Sequence, residues 1–139
     1  MDAFPTELVW GCADGCRLKD GRTGRVFEFS ASGRISLALR DAGIFRERLL
    51  HARSVCTDAE ELRFFLSEIM RITAKTELVE AVSESGLSFD ELYEARPRAL
   101  QRLSSVFYGK MQSVFAEYGL AIMPACEHTL ITNFVIIDR

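Results

Sequence analysis

The spacing of apolar residues changes near residue 40, and that change constrains the fold more than any other feature of the chain. Up to that point the period is two. In Ile35-Ser36-Leu37-Ala38-Leu39 the residues Ile35, Leu37 and Leu39 fall on one side of an extended chain, with Ser36, Ala38 and Arg40 on the other. Val26-Phe27-Glu28-Phe29 precedes this stretch, and Ser32-Gly33 between the two reads as a hairpin turn. Leu8-Val9-Trp10 is a further short strand, while Asp20-Gly21 and Thr23-Gly24 punctuate the segment after Leu18. A sheet of this kind has one apolar face that other elements must cover.

Beyond residue 40 the spacing is helical. Asp41 can cap a short helix running through Leu50, with Ile44, Phe45 and Leu49 on one face. Thr57-Asp58-Ala59-Glu60 reads as a capping box, in which hydroxyl and carboxylate satisfy backbone donors that the helix itself cannot. Behind it Leu62, Phe65, Leu66, Ile69, Ile72 and Val79 form an apolar stripe that reaches about Val82, before Gly86 stops the helix. Ser88-Phe89-Asp90-Glu91 is a second capping box, opening a short helix that Pro97 interrupts or restarts. The spacing then predicts a long helix from about Arg98 to Tyr118.

On that helix Leu100, Leu103, Phe107, Met111, Val114 and Tyr118 recur every three or four residues. A coiled-coil seam would use the same positions, but fewer than about four heptads are present, so burial on the chain's own sheet is favoured. Phe107 and Phe115 then belong to the core, and Tyr108, on a different face, is the candidate for a partner contact. Gly109 inside the helix costs about 1 kcal/mol relative to alanine. Packing must hold that turn, and a close backbone contact fits there, which makes Gly109 the second partner-contact candidate. After Gly119, Leu120-Ala121-Ile122-Met123 and Asn133-Phe134-Val135-Ile136-Ile137 read as two strands around a loop. The expected fold class is α+β. A mostly antiparallel curved sheet from N-terminal hairpins, plus a C-terminal strand, is covered by two long helices and shorter ones. Residues 1–139 form a single domain, since no repeat or linker divides them.

Composition narrows the function. With 17 basic and 20 acidic side chains the net charge is −3, which leaves no excess positive field for nucleic acid or an anionic bilayer. No apolar run approaches the roughly 20 residues that cross a membrane. Met1-Asp2-Ala3-Phe4-Pro5 lacks the pattern of an export signal. The four cysteines, Cys12, Cys16, Cys56 and Cys126, are therefore expected to be thiols in a reducing compartment, buried as small hydrophobes. A sharper reading joins Cys12 and Cys16 with Cys126 and His128 as four soft ligands for zinc, and a disulfide framework is a third. The carboxylate pairs Glu60-Glu61 and Asp90-Glu91 are adjacent in sequence and diverge by about 100° on a helix, so they read as cap and solvent residues. His51 follows a helix end and His128 lies in a polar loop. An enzyme would have to rest on Cys126 as nucleophile with His128, an i,i+2 pair that shares a face on a strand. No catalytic residue and no cofactor is expected. A small-ligand or protein-binding module, with its pocket between sheet and helices, is the further alternative.

Several stretches, taken in order, resemble the SPFH or band 7 domain of stomatins, prohibitins and flotillins. The likeness is closest to the bacterial branch called virion-core-protein-like or antifreeze-like. The residues that carry it are Trp10-Gly11 with Lys19-Asp20, Gly33-Arg34-Ile35-Ser36-Leu37, Asp41-Ala42-Gly43-Ile44-Phe45, the helix start at Thr57 to Glu61, and Glu117-Tyr118-Gly119-Leu120. Ala42-Gly43 stands where the family has proline, and the segment from Pro124 to Thr132 is longer than the family's link into its closing strand. The resemblance implies a non-enzymatic oligomeric scaffold, cytoplasmic and peripheral to the inner membrane face, that recruits membrane-stress or other membrane-associated proteins. It also implies self-association in a longer parent protein, since the chain stops before the coiled-coil extension through which relatives assemble.

Overall fold

The computed structural model describes residues 4–19, 24, 26–52, 59–124, 127 and 129–137. Two long antiparallel strands, β1 (Thr6–Lys19) and β2 (Val26–Leu39), form the front of the fold. Among the described residues four helices follow: α1 (Ala42–Ala52), α2 (Ala59–Glu84), α3 (Phe89–Glu94) and α4 (Pro97–Ala116). The short strands β3 (Leu120–Ile122) and β4 (Asn133–Ile137) complete an α+β architecture. β2 is central. β1 pairs along one side of it, while β3 and β4 lie end to end along the other, both antiparallel.

The expected turn at Ser32-Gly33 does not form. β2 runs through it as one strand, and its ladder with β1 extends to Lys19 opposite Val26. Gly33 has a different task. It lies opposite Trp10 on β1, and the Leu130 carbonyl crosses so close beneath it that a Cβ would collide with that oxygen. The Trp10 indole Nε1 donates to the same carbonyl at 2.7 Å. A tight turn and a close backbone approach both favour glycine, so its presence alone did not distinguish them.

Alternation along β2 is regular. Phe27, Phe29, Ala31, Ile35 and Leu37 are buried, and the even-numbered residues face outward. α2 and α4 cover the inner face. From α2 come Leu62, Leu66, Ile69, Met70, Ala74, Leu78, Ala81 and Val82, all buried. Phe65 and Val79 are half-buried, whereas Ile72, expected in the stripe, is 65% exposed. From α4, Leu103, Phe107, Met111 and Phe115 are fully enclosed, so its stripe serves the chain's own core. The Phe107 ring lies 5.1 Å from that of Trp10, joining helix layer to sheet. Ser104, also buried on α4, accepts the Ile131 N–H at 3.0 Å and so leaves no orphaned donor.

The helix ends follow their local signals. Asp41 Oδ1 accepts from the Ile44 N–H at 3.1 Å, capping α1 as its sequence predicts. α1 continues to Ala52, so His51 lies in its last turn and not after it. Both bonds of the Ser88–Glu91 capping box are present, and Pro97 starts α4 at its first turn. Gly86, after α2, has φ +73°, a left-handed backbone that glycine reaches without cost. Thr57 and Asp58 of the first capping box lie outside the described residues; α2 begins at Ala59.

The most consequential junction ties α1 to the turn after α4. The Gly119 carbonyl accepts from both the Arg40 N–H at 2.8 Å and the Asp41 N–H at 2.9 Å. Gly119 has φ +74°, and a Cβ there would strike the Asp41 carbonyl oxygen. The Arg48 Nε donates to the Glu117 carbonyl at 3.1 Å, a third tie between the same two segments.

Candidate functional site

The two partner-contact candidates sit on α4 and differ in kind. Tyr108 is half-buried, and its hydroxyl donates to the Ile122 carbonyl at 3.3 Å while accepting from Gln112 Nε2 at 3.1 Å. Gln112 Oε1 in turn accepts the Ile122 N–H at 2.7 Å. The tyrosine thus belongs to a small network that docks β3 on α4. Gly109 is exposed, and a Cβ there would meet nothing within 4 Å, so no close approach by this chain's own backbone explains it.

The cysteine expectation needs correction. Cys12 and Cys16 form a disulfide with each other and are not free thiols. The bond spans an irregularity in β1, where Cys12 pairs with Ala31 and Cys16 with Phe29. Four residue steps on β1 therefore match two on β2, which is a bulge. Sulfurs joined in this way do not offer the two thiolates that the zinc reading assigned to them. Cys56, Cys126 and His128 lie outside the described residues, and with them the proposed Cys126–His128 pair. Among the described residues no group of three or more His, Cys, Asp or Glu is placed to hold a metal ion.

Two recesses open at helix ends. One, about 550 Å³, lies between α3 and the start of α4 and is lined by Leu87, Glu91, Glu94, Arg96, Arg98 and Arg102, among others. Its charges largely offset one another. Arg96 Nε pairs with Glu94 Oε2 at 2.8 Å, and Glu91 is engaged by Ser88. The Ser88 N–H and then its hydroxyl hold the Glu91 carboxyl below its ordinary pKa, with Arg102 adding a smaller effect of the same sign. The other recess, about 510 Å³, lies beside the Gly119 junction between α1 and the end of α4. Neither recess lies between sheet and helices, where Phe29, Leu37, Leu66, Phe107 and Met111 fill the space.

One further ion-pair cluster ties two helices together. Lys110 on α4 bonds Glu84 and, at 3.4 Å, Glu80 on α2. The bond it donates to Glu84 is the main reason that the Lys110 ammonium holds its proton above the usual lysine range. Comparison with known protein families, curated proteins and solved structures finds no match.

What sequence reasoning missed lies on β1. Read as a three-residue strand, it is in fact the 14-residue flank of the sheet, and Val9 is 72% exposed on it. The available signal was alternation across Thr6 to Cys12, with Leu8 and Trp10 inward and Glu7, Val9 and Gly11 outward.

Proposed function

We propose that this chain is a non-enzymatic scaffold domain of the stomatin–prohibitin–flotillin kind, which self-associates and recruits membrane-associated proteins at a membrane face. One observation carries the reading. Four of the stretches behind the sequence likeness meet in pairs in this fold. Asp41 to Phe45 meets Glu117 to Leu120 at the shared Gly119 carbonyl. Trp10 meets Gly33 across the hairpin, over the Leu130 carbonyl. Motifs that lock a framework suit a domain whose task is to hold its shape while other surfaces bind. Attachment to a membrane comes through a partner or a further segment, since no described helix is long and apolar enough to cross one.

Light scattering tests the reading. The 139-residue chain is expected to be a monomer or weak dimer. A parent protein that carries it together with a coiled-coil extension is expected to form large rings. A parent that stayed monomeric would overturn the scaffold assignment.

A further inference from the structure

We propose that the outer edge of β1 pairs with the same edge of a second copy of this chain, in an antiparallel ladder centred on Val9. The direction of the backbone groups on β1 follows from the opposite side of the sheet. The Ser36 carbonyl accepts from the Met123 N–H at 2.8 Å, and the Ser32 carbonyl from the Thr132 N–H at 2.8 Å. The even-numbered residues of β2 therefore turn their peptide groups away from β1. The odd-numbered ones turn toward it, where Leu37, Ile35, Gly33 and Ala31 face Thr6, Leu8, Trp10 and Cys12. Because these directions alternate along a strand, Glu7, Val9 and Gly11 point their N–H and C=O groups outward. Among the described residues no strand lies on that side.

Two features bound this open run, and they are symmetric about Val9. Pro5, four residues before it, has no N–H to donate. Residue 13, four residues after it, begins the bulge that the Cys12–Cys16 disulfide spans. A two-fold axis through Val9 sets Pro5 of one copy against the bulge of the other, so the gap in each falls where the other has no regular bond to offer. Within the run, Val9 faces its own counterpart and Glu7 faces Gly11, each pair exchanging two N–H···O=C bonds. Glu7 meets no like charge and keeps its own Arg34 at 3.8 Å.

Side chains agree with this register. On the inner face Leu8 comes opposite Trp10, both buried, so the core continues across the axis. α2, which packs against β1, is brought beside its counterpart, and it carries Phe64 and Ile72 at 69% and 65% exposure. Edge strands are ordinarily blunted by lysine, proline or a bulge. From Thr6 to Cys12 none is present, and an exposed valine stands at the centre.

The proposal rests on the self-association in the scaffold reading and names its surface. The test is light scattering of the 139-residue chain across a concentration series, with amide hydrogen exchange at both ends of it. The mass is expected to double with concentration. The Glu7, Val9 and Gly11 amides should exchange freely when dilute and slow at least tenfold when concentrated. Those of Leu8 and Trp10, bonded to β2, should be slow throughout. Val9→Lys should keep the circular dichroism of the parent chain and weaken dimerisation at least tenfold. If it does not fold, Val9→Pro serves, because it removes an N–H that β2 does not use. A chain that stays monomeric, a dimer whose Val9 amide exchanges freely, or a folded Val9→Lys dimer of undiminished affinity would each overturn the contact. Rings formed by a longer parent carrying Val9→Lys would remove this surface and leave the scaffold reading standing.

Discussion

Two glycines in this chain answer opposite demands, and substituting each gives results of opposite sign. At Gly33 an added methyl would collide with the Leu130 carbonyl, whose oxygen also holds the Trp10 indole. Backbone cannot yield as the end of a flexible side chain can. Gly33→Ala should therefore cost about 3 kcal/mol or more, at the upper end of what overpacking a filled core does. At Gly109 the same methyl meets nothing within 4 Å. Gly109→Ala in an exposed helix interior should stabilise by about 1 kcal/mol, the difference in helix propensity. Urea denaturation of both variants, followed by the fluorescence of the single tryptophan, Trp10, checks the pair. Equal effects of the same sign would mean that Gly33 is not pinned as described.

At the scale of elements, α3 is the piece whose stability depends most on one cap. It has only six residues, too few to persist without its ends satisfied. Ser88→Ala should cost about 1 kcal/mol. The cap also makes an acid-side prediction. The folded-state pKa of Glu91 lies below its unfolded value because the carboxylate accepts from Ser88. Its contribution is therefore present above the unfolded pKa and is lost as pH falls through the folded one. A carboxyl NMR titration should find Glu91 titrating below an ordinary glutamate, and moving back toward it in Ser88→Ala. Such caps were legible in the sequence, as were the α4 stripe and the two closing strands, because each is a short-range pattern. The extent of β1 and β2 was not. Ser32-Gly33 and Gly11 look like breaks to a local reading, and only the crossing of Leu130 from about a hundred residues away shows why a glycine stands at position 33. The disulfide was hidden for a similar reason. Cys12 and Cys16 are brought together by a bulge, which a regular strand would not contain.

For the whole molecule, α4 links the layers. Phe107 is fully enclosed and its ring lies tilted against that of Trp10, so Phe107→Ala should destabilise by about 3–5 kcal/mol. It should leave the oligomeric state of the folded fraction unchanged, because that side chain faces inward. Loss of assembly without loss of stability would revive the coiled-coil seam for this helix, and sedimentation alongside thermal melting separates the two. The paired bonds to the Gly119 carbonyl have a broader consequence. They bring the last residues of β2 and the first of β3 side by side, so the helical stretch between them leaves and re-enters the sheet at one point, with α2 and α4 folded back over the inner face. In chain order that stretch is a single excursion tied off at its base. Its outward-facing turns can lengthen at little entropic cost, since enlarging a closed loop adds only slowly to its entropy, while the buried faces of α2 and α4 stay fixed to the core. The strands beneath would keep their register while those turns are tailored to different neighbours.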